Sequence, residues 1–121
     1  MQSVGVDIIE IERIAKAIER WGDSFLNKIF TPQELERYGD RIPELAARFA
    51  GKEAISKALG TGIRGIYWKE MEILADGRGK PEVRLYARAK KRAEELGLKE
   101  FSISLSHCRE FAVAFVVARD K

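Results

Sequence analysis

The chain has 121 residues, 45% of them hydrophobic and 34% charged, with a formal net charge of +3. This size and composition predict one globular domain over residues 1–121. No apolar run approaches the length of a membrane span, and the N-terminus lacks the basic-then-apolar order of a signal peptide, so we expect a cytoplasmic protein. A single cysteine, Cys108, excludes an intrachain disulfide and a cysteine-cluster metal site.

The basic charge is mild, with a pI near 9.1. It fits a phosphate-rich small ligand, an acidic protein partner or nucleic acid, and charge alone does not choose among them. With one histidine and one cysteine, the chain is poorly suited to zinc. A hard cation held by oxygen ligands suits the sequence better.

The first predicted element is a strand over residues 4–9, rich in β-branched residues and interrupted by Asp7. An ionised aspartate among such neighbours is costly to bury without a partner. Two interpretations stay open. Asp7 either ends the strand and caps the following helix, or is a metal or phosphate-site ligand held on a rigid strand.

A helix is predicted from Ile11 to Trp21, with basic residues on the side opposite its apolar face: Arg13, Lys16 and Arg20. Such a face is usually only solvated, but it also suits an acidic partner helix. The sequence Thr31-Pro32-Gln33-Glu34 is typical of a capping box and predicts a short helix that ends near Tyr38.

A long central helix is predicted from Pro43 to Gly60, where the glycine suits a left-handed cap. It carries a small-residue stripe at every fourth position: Ala46, Ala50, Ala54 and Ala58. Polar residues stand against this stripe: Arg48, Lys52, Glu53, Ser56 and Lys57. Glu53 and Lys57 lie one turn apart, which by itself indicates only an ordinary helix-stabilising pair worth roughly 0.3–0.5 kcal/mol.

The second half predicts strands over residues 66–74 and 83–85, joined by a glycine-rich turn from Asp76 to Pro81. A helix over residues 86–96, ended by Gly97, precedes strands over 101–105 and 111–117. We expect the last strand to be fully buried because it is nearly all apolar. The resulting fold class is α+β, with a mainly antiparallel sheet packed against the long central helix.

Three separated segments closely resemble the 4′-phosphopantetheinyl transferase superfamily, in particular its small bacterial branch. They are Gly5-Val6-Asp7, the run from Phe49 to Ala54 that continues to Lys57-Ala58, and Ser104-Leu105-Ser106-His107. Two shorter matches support them: Gly60-Thr61-Gly62-Ile63 and Gly79-Lys80-Pro81. The resemblance covers nearly the whole chain.

The resemblance implies transfer of the phosphopantetheine arm of coenzyme A to a serine of acyl carrier protein, for fatty acid biosynthesis. It implies Asp7 and Glu53 as Mg²⁺ ligands, with Lys57 at the phosphates. Two carboxylates suffice for Mg²⁺, which keeps water and substrate phosphate as its other ligands. The proton acceptor stays open between a metal-held water, Glu53 and Lys57, and we favour a water oriented by a carboxylate.

The resemblance also implies sets of binding residues. The coenzyme A contacts would be Arg48, Lys52, Ser56, Lys57, Gly60, Lys80, Pro81, Ser106 and His107. The basic face of Arg13, Lys16 and Arg20 would grip the acidic carrier protein, and the chain would form a homotrimer with sites between subunits. The alternatives are a carrier-binding adaptor without catalysis and a small nucleic-acid-binding domain. The joint presence of Asp7, Glu53 and Lys57 argues against the adaptor, and aromatics placed in apolar runs argue against nucleic acid.

Overall fold

The computed structural model describes residues 1–62 and 65–121. Its elements, in chain order, are β1 (Gln2–Glu10), α1 (Ile11–Trp21), α2 (Asp23–Ile29), α3 (Pro32–Tyr38), α4 (Ile42–Ala58), a 3₁₀ turn (Trp68–Glu70), β2 (Met71–Ala75), β3 (Pro81–Leu85), α5 (Ala87–Leu96), β4 (Glu100–His107) and β5 (Phe111–Arg119). The predicted match to Ile63 lies outside the described residues.

The strands form two antiparallel sheets, one with the order β1-β5-β4 and one made of the β2-β3 hairpin. The α+β class and the antiparallel pairing are therefore confirmed, although the predicted single sheet is divided. The hairpin closes through the predicted glycine-rich turn, where the Asp76 N–H donates to the carbonyl of Lys80 at 2.8 Å.

Helix α4 is the centre of the fold, as predicted. Its four stripe alanines are at most 2% exposed and pack in the main core: Ala46, Ala50, Ala54 and Ala58. The approach of β1 to this stripe is so close that a Cβ at Gly5 would overlap the carbonyl oxygen of Ala54. Glycine at position 5 therefore sets the distance between the strand and the helix.

The predicted helix ends are mostly confirmed. Helix α4 ends with Gly60 in the left-handed conformation (φ 76°), and the N–H of Thr61 donates to the carbonyl of Ser56 at 3.3 Å. The capping box of α3 is complete, because Thr31 Oγ1 accepts from the Glu34 N–H and Glu34 accepts from the Thr31 N–H. Helix α5 ends before Gly97, which is also left-handed.

Three local predictions were wrong. Helix α2 was missed, and residues 66–70 hold a 3₁₀ turn where strand was predicted, so that β2 begins only at Met71. Strand β5 is buried on one face only, since Phe111 and Phe115 are exposed. An apolar run does not by itself show whether one or both of its faces are covered.

No helix in the described ranges, 1–62 and 65–121, is long and apolar enough to cross a membrane. The free thiol of Cys108 lies exposed after β4.

Candidate functional site

A cavity of about 440 Å³ lies between β1, α1, α2 and α4. It gathers Asp7, Glu53 and Lys57, the three residues predicted to be catalytic, and Arg13 from the basic face of α1. The remaining lining is apolar: Ile8, Ile9, Ile14, Ala17, Phe25 and Phe49. Residues that lie 46 or more positions apart in the sequence thus share one concave surface, which is the arrangement expected of a binding site.

Asp7 lies inside β1, three residues before the strand ends. It does not cap α1, because the residue at the helix N-cap is Glu10, whose side chain makes no capping hydrogen bond. The alternation of the strand directs Asp7 to the same face as Gly5 and Ile9, toward α4. The structural alternative left open by the sequence is therefore excluded, and Asp7 is held on a rigid strand facing the helix.

Lys57 joins α4 to β1. Its ammonium donates to the Val6 carbonyl at 2.9 Å and to Asp7 Oδ1 at 3.1 Å. The side chain of Lys57 is 50% exposed and that of Asp7 19%, so the pair stands at the rim of the cavity. The predicted proximity of Lys57 to Glu53 on the helix does not produce an ion pair, because the lysine turns to the strand.

Glu53 faces the same cavity from α4 and is half-buried. Burial raises the pKa of the Glu53 carboxyl above its ordinary value, and the negative charge of Asp7 raises it further, while Lys57 partly opposes the shift. Two carboxylates that repel each other in one cavity form a site that a cation would stabilise.

The donor set fits a hard cation. Asp7 and Glu53 supply two carboxylates at one cavity, and Mg²⁺ is commonly held by one or two carboxylates with water and substrate phosphate. Within residues 1–62 and 65–121, no group of three or more histidine, cysteine, aspartate or glutamate side chains is placed to hold a metal by itself. The two carboxylates would therefore share such an ion with a phosphate-bearing ligand.

A second concave region of about 210 Å³ brings together three residues predicted to contact coenzyme A: Arg48, Pro81 and His107. It adjoins a hollow of about 470 Å³ that shares His107 and is lined by residues 40–44 at the start of α4. Lys80 stands exposed on the neighbouring turn. His107 ends strand β4, which extends two residues beyond the predicted strand over 101–105.

Two predicted ligand contacts are corrected by the structure. The ammonium of Lys52 is fully buried and bonded to protein oxygens, and Ser56 is fully buried with its hydroxyl donating to the Glu53 carbonyl at 2.7 Å. The sequence placed both residues opposite the core face. Helix α4 is instead covered on several sides, so those positions face the hairpin and the helix backbone, not a ligand.

Arg48 and Gly60 were also predicted to contact coenzyme A, and they differ in exposure. The Arg48 guanidinium is 4% exposed, donates to the Ile73 carbonyl at 3.1 Å and lies 3.6 Å from the centre of the Tyr38 ring. Arg48 also lines the second concave region. Gly60 is exposed at the C-terminal end of α4.

Ser106 lies on the outer face of the three-stranded sheet. Through Val113 it is in register with Ile8, whereas Asp7 points to the inner face. One chain therefore does not bring Ser106 to the cavity of Asp7.

The predicted carrier-binding residues Arg13, Lys16 and Arg20 are all exposed on α1. Lys16 pairs with Glu12 at 3.5 Å, and the Arg20 guanidinium lies 4.8 Å from the centre of the Trp21 ring. Only Arg13 lines the cavity. The basic face thus runs from the rim of the cavity along the helix.

Sequence reasoning missed the apolar wall of the cavity, which Phe25 and Phe49 provide. Phe49 lies on the predicted central helix but carried no predicted role in the site, and Phe25 lies on the unpredicted helix α2. The signal available for α2 was the spacing of Phe25, Leu26 and Ile29 after Gly22-Asp23.

Residues 3–116 match the sequence profile of the 4′-phosphopantetheinyl transferase superfamily. The chain belongs to this superfamily. It is 54% identical over 120 residues to a holo-[acyl-carrier-protein] synthase of Dehalococcoides mccartyi, with 99% of this chain and 100% of that protein covered. It is 47% identical to the enzyme of that name from Herpetosiphon aurantiacus over 97% and 98% of the two chains.

Solved structures of superfamily members match the fold over its whole length. The Helicobacter pylori holo-[acyl-carrier-protein] synthase in complex with coenzyme A aligns with a TM-score of 0.88 and 32% identity, covering 96% of this chain and 99% of that one. The enzyme of that name from Neisseria meningitidis aligns with a TM-score of 0.87 and 39% identity, covering 97% of each chain. These matches confirm the predicted family.

Proposed function

We propose that this chain transfers the 4′-phosphopantetheine arm of coenzyme A to a serine of apo-acyl carrier protein, releasing adenosine 3′,5′-bisphosphate, for fatty acid biosynthesis. The observation that carries the proposal is the cavity that gathers Asp7, Glu53 and Lys57 beside the basic face of α1. Full-length relatives named holo-[acyl-carrier-protein] synthase support it. So do superfamily structures described as complexes with coenzyme A.

In this reaction the serine hydroxyl oxygen forms a bond to the phosphorus next to the pantetheine arm, and the bond from that phosphorus to the bridging oxygen breaks. The serine proton needs an acceptor. Glu53 suits this role through one water, which its carboxylate in the cavity would orient toward the serine hydroxyl. Lys57 already donates to Asp7 and the Val6 carbonyl and is placed to donate to a phosphate as well.

We further propose Mg²⁺ as the cofactor, held by Asp7 and Glu53. When bound, a divalent cation there would neutralise the charge that builds on the phosphate oxygens. The support is the donor set, two carboxylates at one cavity, where burial and then the charge of Asp7 raise the pKa of Glu53. Arg13 at the cavity rim then places the carrier beside the reacting phosphate, and Lys16 and Arg20 extend the contact along α1. The cytoplasmic location stays a prediction.

The remaining coenzyme A contacts are proposed on Arg48, Lys80, Pro81 and His107, which surround the second concave region or its neighbouring turn. Gly60 and Ser106 keep their proposed roles as contacts at the surface. Since one chain separates Ser106 from Asp7 on opposite faces of the sheet, a complete coenzyme A site would need a second copy of the chain.

A homotrimer with sites between subunits satisfies that need. The outer face of the β1-β5-β4 sheet is apolar and open: Val4, Val6, Ile8, Phe111 and Phe115 are all more than 40% exposed. An apolar patch of this kind is typical of an interface between subunits. Ser106 lies on this same face.

The test is the intact mass of an apo-acyl carrier protein incubated with the chain, coenzyme A and Mg²⁺. We expect the carrier to gain one phosphopantetheine, and the gain to disappear with a chelator or when the acceptor serine of the carrier is replaced by alanine. No gain with folded protein and several carriers would overturn the proposed function and favour the adaptor without catalysis. A mass gain of the carrier that persists after complete chelation would show that the transfer does not need Mg²⁺.

A further inference from the structure

Lys52 lies next to Glu53 in the sequence but points to the opposite side of α4, into the protein. Its side chain has no exposed surface. The ammonium donates to Glu34 Oε1 at 2.8 Å, to the Trp68 carbonyl at 3.2 Å and to the Met71 carbonyl. Because three acceptors need three N–H donors, we assign the charged form. Such a cation has no donor left for a ligand.

Glu34 connects the same ammonium to two further elements. Its Oε1 also accepts from the Thr31 N–H at 2.9 Å, and its Oε2 accepts from the Ile73 N–H at 2.8 Å. Thr31 in turn donates to the buried Glu72 at 2.6 Å. The pair of Lys52 and Glu34 thus ties helix α4 to the start of α3, to the 3₁₀ turn and to strand β2. Every polar atom of this centre has a partner.

The 3₁₀ turn held by Lys52 carries an aromatic side chain back to the functional cavity. The Trp68 ring stacks on the Phe49 ring with their centres 4.8 Å apart and their planes at 23°. Phe49 lines the cavity together with Asp7, Glu53 and Lys57. The carbonyl that Lys52 binds and the ring that supports Phe49 belong to the same residue, so the ammonium fixes one wall of the cavity from behind.

We propose that Lys52 is a positioning residue, which acts through the Trp68 backbone to hold the Phe49–Trp68 wall against the catalytic cavity. It touches neither substrate nor the reacting atoms. The buried position explains why the residue beside Glu53 is a cation. An apolar side chain there would leave the Glu34 carboxylate buried without its cation and both carbonyls without a donor.

Fluorescence tests the wall without reference to activity. The chain has two tryptophans, so Trp21→Phe leaves Trp68 as the single reporter. In this background we expect Lys52→Met combined with Glu34→Gln, which removes both charges together, to shift Trp68 emission to the red and to speed its quenching by acrylamide. The control is Glu94→Gln, the same kind of change at an exposed carboxylate on α5 outside this hydrogen-bond network, and it should leave Trp68 emission in place.

Kinetics then separate positioning from ligand binding, and this part rests on the proposed function. We expect kcat to fall by about a hundredfold, the loss that misplacement by about 1 Å can cause, with the Michaelis constant for coenzyme A little changed. Trp68→Leu leaves the buried pair of Lys52 and Glu34 intact and removes the ring that supports Phe49, so it should lower kcat in the same way. It serves as the activity test of the wall if the double variant does not fold.

Two results would overturn the inference. One is an unchanged Trp68 emission in the folded double variant. The other is a raised Michaelis constant for coenzyme A at unchanged kcat, which would make Lys52 a ligand contact. If the unaltered chain shows no transfer at all, the proposed function fails, and the fluorescence result still decides whether Lys52 holds the wall.

Discussion

The Glu53 carboxylate is half-buried and lines the same cavity as the negatively charged Asp7. Burial and this repulsion both raise the pKa of Glu53, so the folded chain binds the Glu53 proton more tightly than the unfolded chain does. By linkage, the free energy of unfolding then falls as the pH rises from the ordinary glutamate pKa, about 4.3, through the raised one. A residue with this behaviour is retained for function at a cost in stability.

We therefore predict that Glu53→Gln stabilises the metal-free chain at neutral pH and that the gain vanishes in acid, where Glu53 is protonated anyway. Thermal unfolding of both proteins with a chelator present, from pH 4 to pH 8, measures the difference. A variant that is equally less stable at every pH would contradict the electrostatic account, since that pattern indicates lost packing.

At the scale of elements, the contact between β1 and α4 depends on Gly5. We predict that Gly5→Ala destabilises the chain by about 3 kcal/mol, because the added methyl group overlaps the backbone carbonyl of Ala54 and the helix cannot move aside. Urea unfolding measures the change.

Gly51→Ala is the matched control for that prediction. Its methyl group meets no backbone atom but only the ends of the Ile73, Ile103 and Leu105 side chains, of which Ile73 is the nearest and can rotate. Alanine also favours a helix interior by about 1 kcal/mol over glycine. We expect the two effects to offset each other within about 1 kcal/mol, and equal losses in both variants would contradict the distinction between backbone and side-chain contacts.

Helix α1 carries the residues proposed to bind the carrier protein. We predict that Arg13→Glu raises the Michaelis constant of the carrier protein much more than that of coenzyme A, because Arg13 alone of the basic face also lines the cavity. Steady-state kinetics with each substrate varied in turn measures both constants. Lys91→Glu, the same charge change on exposed α5, should alter neither, and an equal rise of both constants in Arg13→Glu would remove α1 from the docking surface.

The elements show what sequence could and could not supply. Period and capping signals predicted α1, α3, α4 and α5 because each has an apolar face and a clear end signal. Helix α2 was missed since its seven residues hold a weak apolar spacing and no side-chain cap, whereas the equally short α3 begins with a capping box. The wrong assignment of Lys52 has a similar cause. Helical spacing places it opposite the alanine stripe, but nothing local shows that its partner is Glu34, 18 positions earlier.

For the whole molecule, the proposed trimer depends on the outer face of the three-stranded sheet. Val6 and Phe115 are opposite each other in the register, and their exposed fractions are 54% and 47%. The exposure of this pair contradicts the prediction of a fully buried β5.

We predict that Phe115→Asp dissociates the proposed trimer and abolishes transfer by separating the parts of the coenzyme A site. Sedimentation should give a mass three times the 13.7 kDa of one chain for the unaltered protein. For the variant, it should give the mass of a single chain. A monomeric unaltered protein that is fully active would contradict the need for a second copy.

The central claim is that phosphopantetheine transfer takes place at the cavity of Asp7, Glu53 and Lys57. Its most direct test is the intact mass of an apo carrier under single-turnover conditions with saturating coenzyme A and Mg²⁺, measured for Glu53→Gln beside Glu94→Gln, an exposed glutamate on α5. We predict near-complete loss of the mass gain with Glu53→Gln, because an amide is a poor ligand for Mg²⁺ and a poor base, and normal transfer with Glu94→Gln. Transfer at the normal rate by folded Glu53→Gln would place the chemistry elsewhere.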